Sequence, residues 1–347
     1  MALLQKVSPR AINQSFPYSR GEPSVQGFPQ GAVNGGPAGR RRGCAWTIPF
    51  GPSPMAFTEV LSVVFPVFSI IGLGYLFASF RSISLEPIME VLLYLTIPAL
   101  VISSLTDSPI VTSDLVEVSA VAAAVVAATA LASRLYLSFR PMEDRRGFYM
   151  AAMFMNSGNM GFPLALLAFG SAGLSVAVVY FIAVSLLVYS VGISIAKGRG
   201  GMTEIFRLPL IYAAGTGLVL NLSGLALPAA LKNTVDLLGA ATIPLMQVSL
   251  GYRLYSARVA HLGDSLACTA IRIGVGAAAA WFVTGLFGMG GLNRQVAILA
   301  SSMPSAVMNF VMTHRYGGRS DLVASTIAVS TVVSVVTTPV VLVLISD

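Results

Sequence analysis

The sequence predicts an all-α integral membrane protein whose two halves form an inverted repeat. Of the 347 residues, 55% are hydrophobic and 10% are charged, and the mean hydropathy is +0.80. Soluble globular domains carry about 25% charged residues, so this balance excludes an ordinary soluble protein. The other two observations are a series of apolar stretches of membrane-spanning length and two short motifs that recur in the same order at nearly the same offset.

Apolar segments fill the chain from Met55 onward. We count about ten, and a helix needs roughly 20 residues to cross the roughly 30 Å hydrocarbon core of a bilayer. Almost no residues remain for soluble domains, so we expect two five-helix repeats, 55–200 and 201–347. The predicted spans are 57–79, 87–105, 114–137, 147–169, 172–195, 207–227, 233–252, 264–288, 294–314 and 321–345.

Residues 1–54 have a different composition, rich in Pro, Gly, Ser and Asn. Their six basic residues, three of them in "GRRRG" at 39–43, stand against one acidic residue, Glu22. This composition is typical of a disordered segment. A transit-like leader or an upstream extension of the reading frame would explain it, and the position of Met55 directly before the first span favours the extension.

Lys and Arg residues concentrate in the loops on one side of the predicted spans. Because cytoplasmic loops carry the excess of these residues, that side is predicted to be cytoplasmic and both termini extracytoplasmic, in a plasma (inner) membrane. A transit peptide would instead direct the protein to an organelle envelope. The loops of the other side hold only Lys232 and Arg294. The basic residues on the richer side are Arg81, Arg134, Arg140, Arg145, Arg146, Lys197, Arg199, Arg207, Arg253, Arg258, Arg315 and Arg319.

Two motifs indicate the internal repeat. "TIP" occurs at 96–98 and at 242–244, an offset of 146, and Phe169-Gly170 matches Tyr316-Gly317 at an offset of 147. Each half would then hold five spans, and an odd number makes the second half enter the membrane inverted. Inverted repeats with paired interrupted helices are typical of secondary carriers, whose substrate site lies near the midplane between the halves.

The fourth and ninth spans each contain helix-breaking and polar residues near their centres, in "NSGNMGFP" (156–163) and in "SSMPSAVMN" (301–309). Pro and Gly weaken a helix, and backbone groups freed in hydrocarbon must be buried in protein or line a cavity. Half-helix N-termini attract anions, so we predict a carboxylate site. The alternative to a binding site is that the small residues only allow the helices to pack closely and that the prolines only kink them. The predicted substrate-binding residues are Asn156, Ser157, Gly158, Asn159, Gly161, Pro163, Met303, Pro304, Ser305, Ala306 and Asn309.

Several other prolines and polar or charged residues lie within or near the ends of the predicted spans. Pro98 and Pro244 could be simple kinks or hinges, and Gln247 either contacts substrate or makes an interhelical hydrogen bond. Arg272 is interpreted as an anchor that reaches the cytoplasmic interface. Glu59, Glu90 and Asp236 lie near span ends, where coupling to protons is conceivable.

The remaining composition argues against several classes of site. Cys44 and Cys268 form neither a disulfide framework nor a thiolate metal site, and His261 and His314 lie at the ends of apolar segments. We therefore expect no metal, no cofactor and no catalytic residues. The basic residues form no aromatic-interleaved face, so no nucleic-acid partner is expected.

Four stretches resemble the auxin efflux carrier family, which includes bacterial malate and malonate permeases and the plant PIN carriers. They are "EVLSVVFPVFSIIGLGYL" (59–76), "FMNSGNMGFPLALLAFG" (154–170), "SSMPSAVMNFVMTHRYGG" (301–318) and "LVASTIAVSTVVSVVTTPVVLVLI" (322–345). The resemblance covers essentially the chain from Met55 to its C-terminus. Only "AKGRGGMTEIF" (196–206) separates the halves, where the plant carriers have a long loop, so a bacterial-type permease is the closer likeness.

The resemblance implies a ten-helix inverted-repeat carrier with a fold similar to that of bile acid sodium symporters. Helices 4 and 9 would cross at prolines, which places the crossing at Asn156 to Pro163 and at Met303 to Asn309. Spans 1, 2, 6 and 7 would form a scaffold, often dimeric, while the remainder moves as an elevator.

The predicted function is therefore secondary active transport of small organic anions, such as mono- or dicarboxylates or auxin-like weak acids, across the lipid bilayer. The alternative in the same class is a sodium-coupled symporter of the bile acid type, and the coupling ion, H⁺ or Na⁺, is left open. An intramembrane hydrolase is disfavoured because neither a GxSxG nor an HExxH motif is present. A receptor or scaffold that transports nothing is the remaining rival.

Overall fold

The structure, a computed structural model, describes residues 57–107, 112–198 and 202–346. The predicted N-terminal extension lies outside these ranges. Within them all regular structure is helical, apart from one isolated β-bridge. The helices are α1 (Phe57–Phe80), α2 (Glu86–Asp107), α3 (Thr112–Phe139), α4 (Arg146–Met153), α5 (Gly161–Lys197), α6 (Pro209–Ser223), α7 (Ala229–Ser256), α8 (Leu262–Leu286), α9 (Gly291–Ser301), α10 (Val307–Arg315) and α11 (Ser320–Ile345).

Among the described residues, seven helices are long and apolar enough to cross a membrane: α1, α2, α3, α5, α7, α8 and α11. The all-α prediction is confirmed, and the pattern is that of a multi-pass membrane protein. Three of these helices contain a π-helical segment, in α2 at Leu92–Thr96, in α5 at Val188–Gly192 and in α8 at Ala270–Val275. Such wide turns often mark positions where a helix is locally adjusted for function.

Three predicted spans lack a long helix of their own. The ninth divides into α9 and α10, and the sixth is represented by α6, which has only 15 residues. The fourth divides into α4 and the first part of α5, and a kink at Gly170 separates that part from the rest of α5, at the predicted boundary between the fourth and fifth spans. Gly170 is not helical (φ 69°, ψ −162°), a conformation open to glycine because it has no Cβ. The ten-span, five-plus-five arrangement stays a prediction.

Close helix contacts pair the first part of the chain with the second. A Cβ added at Gly74 of α1 would collide with the backbone carbonyl of Val248, so α1 and α7 approach closely there. Helices α2 and α6 also meet, since the Asn221 side chain donates to the Leu105 carbonyl at 2.6 Å. The helices α1, α2, α6 and α7 correspond to the first, second, sixth and seventh predicted spans. A two-fold relation between the halves would place α1 on α6 and α7 on α2, and would therefore exchange these two pairs.

The loops meet in two groups. In one, the Arg146 guanidinium donates to the carbonyls of Ala196 (3.3 Å) and Tyr316 (3.4 Å), which joins the start of α4 to the ends of α5 and α10. In the other, Lys232 Nζ lies 2.7 Å from Asp107 Oδ1, which joins the start of α7 to the end of α2. The first group contains residues of the predicted basic side.

The packed core surrounds the interruptions between α4 and α5 and between α9 and α10. The largest fully buried side chains include Phe148, Phe154 and Phe162, which flank the first interruption. Tyr180 of α5 is also fully buried, and its hydroxyl lies 2.7 Å from Ser301 Oγ at the end of α9. The outer faces of the long helices carry exposed Leu, Val and Phe side chains, as expected for surfaces in contact with lipid.

Candidate functional site

Two short non-helical segments cross at the centre of the bundle. We name them the first break (154–160, between α4 and α5) and the second break (302–306, between α9 and α10). Met155 and Ser305 form an antiparallel bridge. Asn156 N donates to the Pro304 carbonyl at 2.7 Å, and Ala306 N donates to the Phe154 carbonyl at 3.1 Å. The two predicted interruptions are therefore in direct contact.

Local chemistry explains where the helices stop and restart. Pro163 is the third residue of α5, in the first turn, where a missing N–H leaves no helical hydrogen bond unmade. Pro304 likewise has no N–H to donate in the second break, and its carbonyl accepts the Asn156 N–H. The backbone at Phe154 is extended (φ −110°, ψ 117°), as is that at Ala306 (φ −74°, ψ 142°). Two extended segments can pair across the crossing as short strands do.

Asn309 holds the crossing together. Its side chain is fully buried, and Nδ2 donates to the Phe154 carbonyl at 2.8 Å and to Ser305 Oγ at 3.1 Å. The backbone N–H of Ser305 donates in turn to Ser330 Oγ of α11 at 3.2 Å. The donors of Asn309 are thus already used within the protein, while its Oδ1 has no hydrogen-bond partner among the described residues.

The first break carries a group of unused donors. Asn156 Nδ2 and Ser157 Oγ are buried and make no hydrogen bond within the described part of the chain. The backbone N–H groups of Ser157, Gly158 and Asn159 donate to no described residue either. Buried polar groups are nearly always hydrogen-bonded, so such a cluster indicates a ligand or ordered water. All five donor groups favour an acceptor, and an anion most of all.

The crossing is closed in this conformation. Asn156 and Ser157 are 4% and 2% exposed, while Asn159 is only partly buried. Gly158 packs against α7, since a Cβ there would lie 2.9 Å from Met246 Cε. The donors of the first break are therefore covered in part by α7.

The other predicted substrate contacts lie around this point. Gly161 and Pro163 begin α5, and Met303, Pro304 and Ala306 form the second break with Ser305; of these six, only Ala306 is partly exposed. Pro98 lies two residues after the π-helical segment of α2, and Pro244 lies within the unbroken α7. Neither proline adjoins the crossing residues in sequence.

The predicted site does not include two threonines that the structure places among the buried polar groups. Thr96 and Thr242, the first residues of the repeated "TIP", are both buried with hydroxyls that have no partner in the described ranges. Gln247 Nε2, one turn further along α7, is also buried and unpaired. The repeated "TIP" contains a threonine as well as a proline in each half, so the sequence itself indicates two polar groups, Thr96 and Thr242, at membrane depth.

Arg272 contradicts its predicted role as an interfacial anchor. The side chain is fully buried near the middle of α8. Nη1 donates to the carbonyls of Ala152 (3.0 Å) and Met153 (2.7 Å), and Nη2 donates to the Ser301 carbonyl at 2.9 Å. The guanidinium thus binds the final carbonyls of both α4 and α9. Arg272 therefore belongs to the crossing, and its local sequence gives no indication of these distant partners.

Glu59, Glu90 and Asp236, the candidates for proton coupling, lie outside the two breaks. Glu59 is in the first turn of α1 and Glu90 in the second turn of α2, and both are exposed. Asp236 binds Lys232 in the second group of loop contacts and accepts a hydrogen bond from Ser103 Oγ at 2.6 Å. His261, which the sequence places at the end of an apolar segment, pairs with Asp321 at the start of α11, with 2.7 Å between Nε2 and Oδ2. In the ranges that the structure covers, no group of three or more His, Cys, Asp or Glu residues could hold a metal ion.

Comparison with known proteins identifies a relationship along most of the chain. A family model described as "Membrane transport protein" matches residues 59–205 and 201–342. An uncharacterized transporter of Methanothermobacter thermautotrophicus is 32% identical over 200 residues, which cover 56% of this chain and 66% of the relative. An uncharacterized transporter of Methanocaldococcus jannaschii is 31% identical over 199 residues, covering 54% and 64%. The matched part spans slightly under two thirds of each relative.

Proposed function

Since this chain belongs to the family described as membrane transport proteins, we propose that it is a secondary active carrier of small organic anions with its substrate site at the crossing. The family and both relatives are described as transporters, which favours transport over hydrolysis and over a receptor or scaffold role. The substrate class, the substrate site and the transport mechanism of this chain are our proposals.

The observation that carries the proposal is the cluster of unused donors in the first break, two of them buried side-chain groups. Asn156 Nδ2, Ser157 Oγ and three consecutive backbone N–H groups have no acceptor among the described residues. No Asp or Glu occurs in either break, so neither break supplies a carboxylate that would compete for these donors. A carboxylate oxygen accepts several hydrogen bonds at once, and it is favoured at the positive end of α5.

Elevator-type alternating access fits this arrangement. The scaffold would comprise α1, α2, α6 and α7, and the close contact of α1 with α7 at Gly74 favours a rigid pair. The broken helices with α3, α8 and α11 would move against α7, exposing the first break to one side at a time. This scheme is the one found in carriers with inverted repeats and discontinuous helices.

Several features complete the proposal. We propose a ten-span, five-plus-five inverted repeat similar to bile acid sodium symporters, in the branch of malate and malonate permeases related to the plant PIN carriers. Both termini would be extracytoplasmic in a plasma membrane, because the basic residues Arg146 and Arg319 lie in one group of loop contacts. A homodimer through the scaffold belongs to the same proposal, and the sodium dependence of transport separates H⁺ coupling from the sodium-coupled alternative.

Proteoliposomes that hold the full-length protein test the function. Currents and uptake would be measured with malate, malonate, pyruvate, indole-3-acetate and taurocholate, each with and without sodium. Transport of at least one carboxylate without sodium is expected. Strictly sodium-dependent transport would instead assign the protein to the bile acid type of symporter, and the absence of transport of every anion would contradict the proposal.

A further inference from the structure

Arg272 is a buried cation without a carboxylate partner in the described part of the chain. Its hydrogen bonds go only to the carbonyls of Ala152, Met153 and Ser301. A Cβ at Gly276 would collide with Nη2, so this glycine leaves the room that the guanidinium occupies between α8 and the end of α9. Burial of a charge without a countercharge is unfavourable, and intramembrane arginines therefore usually have a functional role.

The acceptors of Arg272 are the negative ends of two helices. Each helix carries the equivalent of about half a negative charge at its C-terminus. The ends of α4 and α9 both lie at the crossing, so together they amount to about one negative charge. The single guanidinium binds both ends and balances them. Arg272 thus binds the C-terminal ends of both α4 and α9, which the proposed repeat would make equivalent.

Balancing these ends leaves the positive ends of the other two half-helices unopposed. Helices α5 and α10 begin at the crossing with N-termini equivalent to about half a positive charge each. Without Arg272, the two negative ends would cancel them and the potential at the first break would be near zero. With Arg272, a net charge of about +1 remains, which matches one carboxylate.

We propose that Arg272 is a positioning residue that sets the anion selectivity of the carrier, so that the crossing accepts one carboxylate group and discriminates against the neutral amide of the same acid. This inference rests on the proposed function, because it concerns the same crossing. It differs from a purely mechanical role, in which Arg272 would hold the breaks together without affecting the preference between acid and amide.

The test compares acids with their neutral amides. Binding to the full-length protein in nanodiscs would be measured for malonate and malonamide, pyruvate and pyruvamide, and indole-3-acetate and indole-3-acetamide. The proteins would be the wild type, Arg272→Gln and Arg272→Lys, each checked for folding by size exclusion and circular dichroism. Arg272→Lys keeps the charge but cannot span three carbonyls as a planar guanidinium does. Arg272→Gln removes the charge and keeps a hydrogen-bond donor.

The wild type is expected to prefer an acid to its amide, and Arg272→Lys to retain that preference. In Arg272→Gln, the acid should bind roughly tenfold more weakly or worse, while the amide changes by less than about threefold. A folded Arg272→Gln protein that keeps the preference would overturn the inference alone. If that variant does not fold, a folded Arg272→Lys protein without the preference overturns it equally. Failure of every acid to bind the wild type would instead overturn the proposed function and this inference with it.

Discussion

Replacing Asn309 with alanine should loosen the crossing by a predictable amount. The change removes hydrogen bonds of 2.8 Å to the Phe154 carbonyl and 3.1 Å to Ser305 Oγ, both in the fully buried interior. Each is worth about 1 kcal/mol net. The Phe154 carbonyl keeps its bond from Ala306 N, but Ser305 Oγ loses its only described partner, which adds about 1 kcal/mol or more. We therefore expect a loss of about 2–4 kcal/mol in the free energy of unfolding.

The matched control is Asn293→Ala. Asn293 lies in the first turn of α9, is partly exposed and makes no hydrogen bond among the described residues, so its replacement should change stability by less than about 0.5 kcal/mol. Stability would be measured by SDS titration and by thermal unfolding in detergent. Equal stability of the two variants would refute the assignment of Asn309 as the residue that joins the breaks.

Two further predictions concern the scaffold and the loops. Gly74→Ala should force α1 away from α7 because its Cβ meets the Val248 carbonyl, lowering stability by about 1–3 kcal/mol. Gly72→Ala, which meets nothing within 4 Å, should leave the melting temperature in detergent unchanged or slightly raised, and a similar loss in both would contradict the contact. Burial alone would raise the pKa of Asp144, but hydrogen bonds from the Arg146 side chain and backbone, with one from the Arg319 backbone, outweigh it and lower that pKa below its ordinary 3.8. A lowered folded-state pKa stabilises the protein above the unfolded value and ceases to do so as pH falls through the folded value. Asp144→Asn should therefore melt earlier at pH 7, with the gap to wild type closing below about pH 4; a gap independent of pH would contradict this.

The breaks could be predicted because they depend on local chemistry. Pro163 and the glycines around it disfavour an uninterrupted helix wherever they stand, and the matching Pro304 in the other half indicated a paired interruption. The predicted boundary between the fourth and fifth spans, at 169–172, coincides with the non-helical Gly170. The sixth span was predicted too long, because the apolar residues Leu225 and Leu227 continue the pattern past the end of α6 at Ser223, where Gly224 has a positive φ.

The role of Arg272 could not be predicted in the same way. Its partners lie 119 and 120 residues earlier and 29 residues later in the chain, and they are backbone carbonyls whose identity leaves no trace in the sequence. Its depth near the middle of α8 was the available signal, since a side chain there is too far from either interface to reach it easily. Thr96 and Thr242 were visible as a repeat, but only their burial marks them as polar groups within the bundle.

The most direct test of the crossing as the anion site is the affinity of Ser157→Ala for whichever carboxylate the wild type transports. Ser157 Oγ has no partner in the described ranges, so its removal costs no internal hydrogen bond and should leave the melting temperature without ligand unchanged. The control is Ser138→Ala, which loses an exposed hydroxyl bonded to its own helix at Leu135. We predict that Ser157→Ala weakens carboxylate binding roughly tenfold, as expected for one hydrogen bond to a charged group, while Ser138→Ala binds as the wild type does. Equal affinities in both variants would contradict the assignment of the crossing as the substrate site.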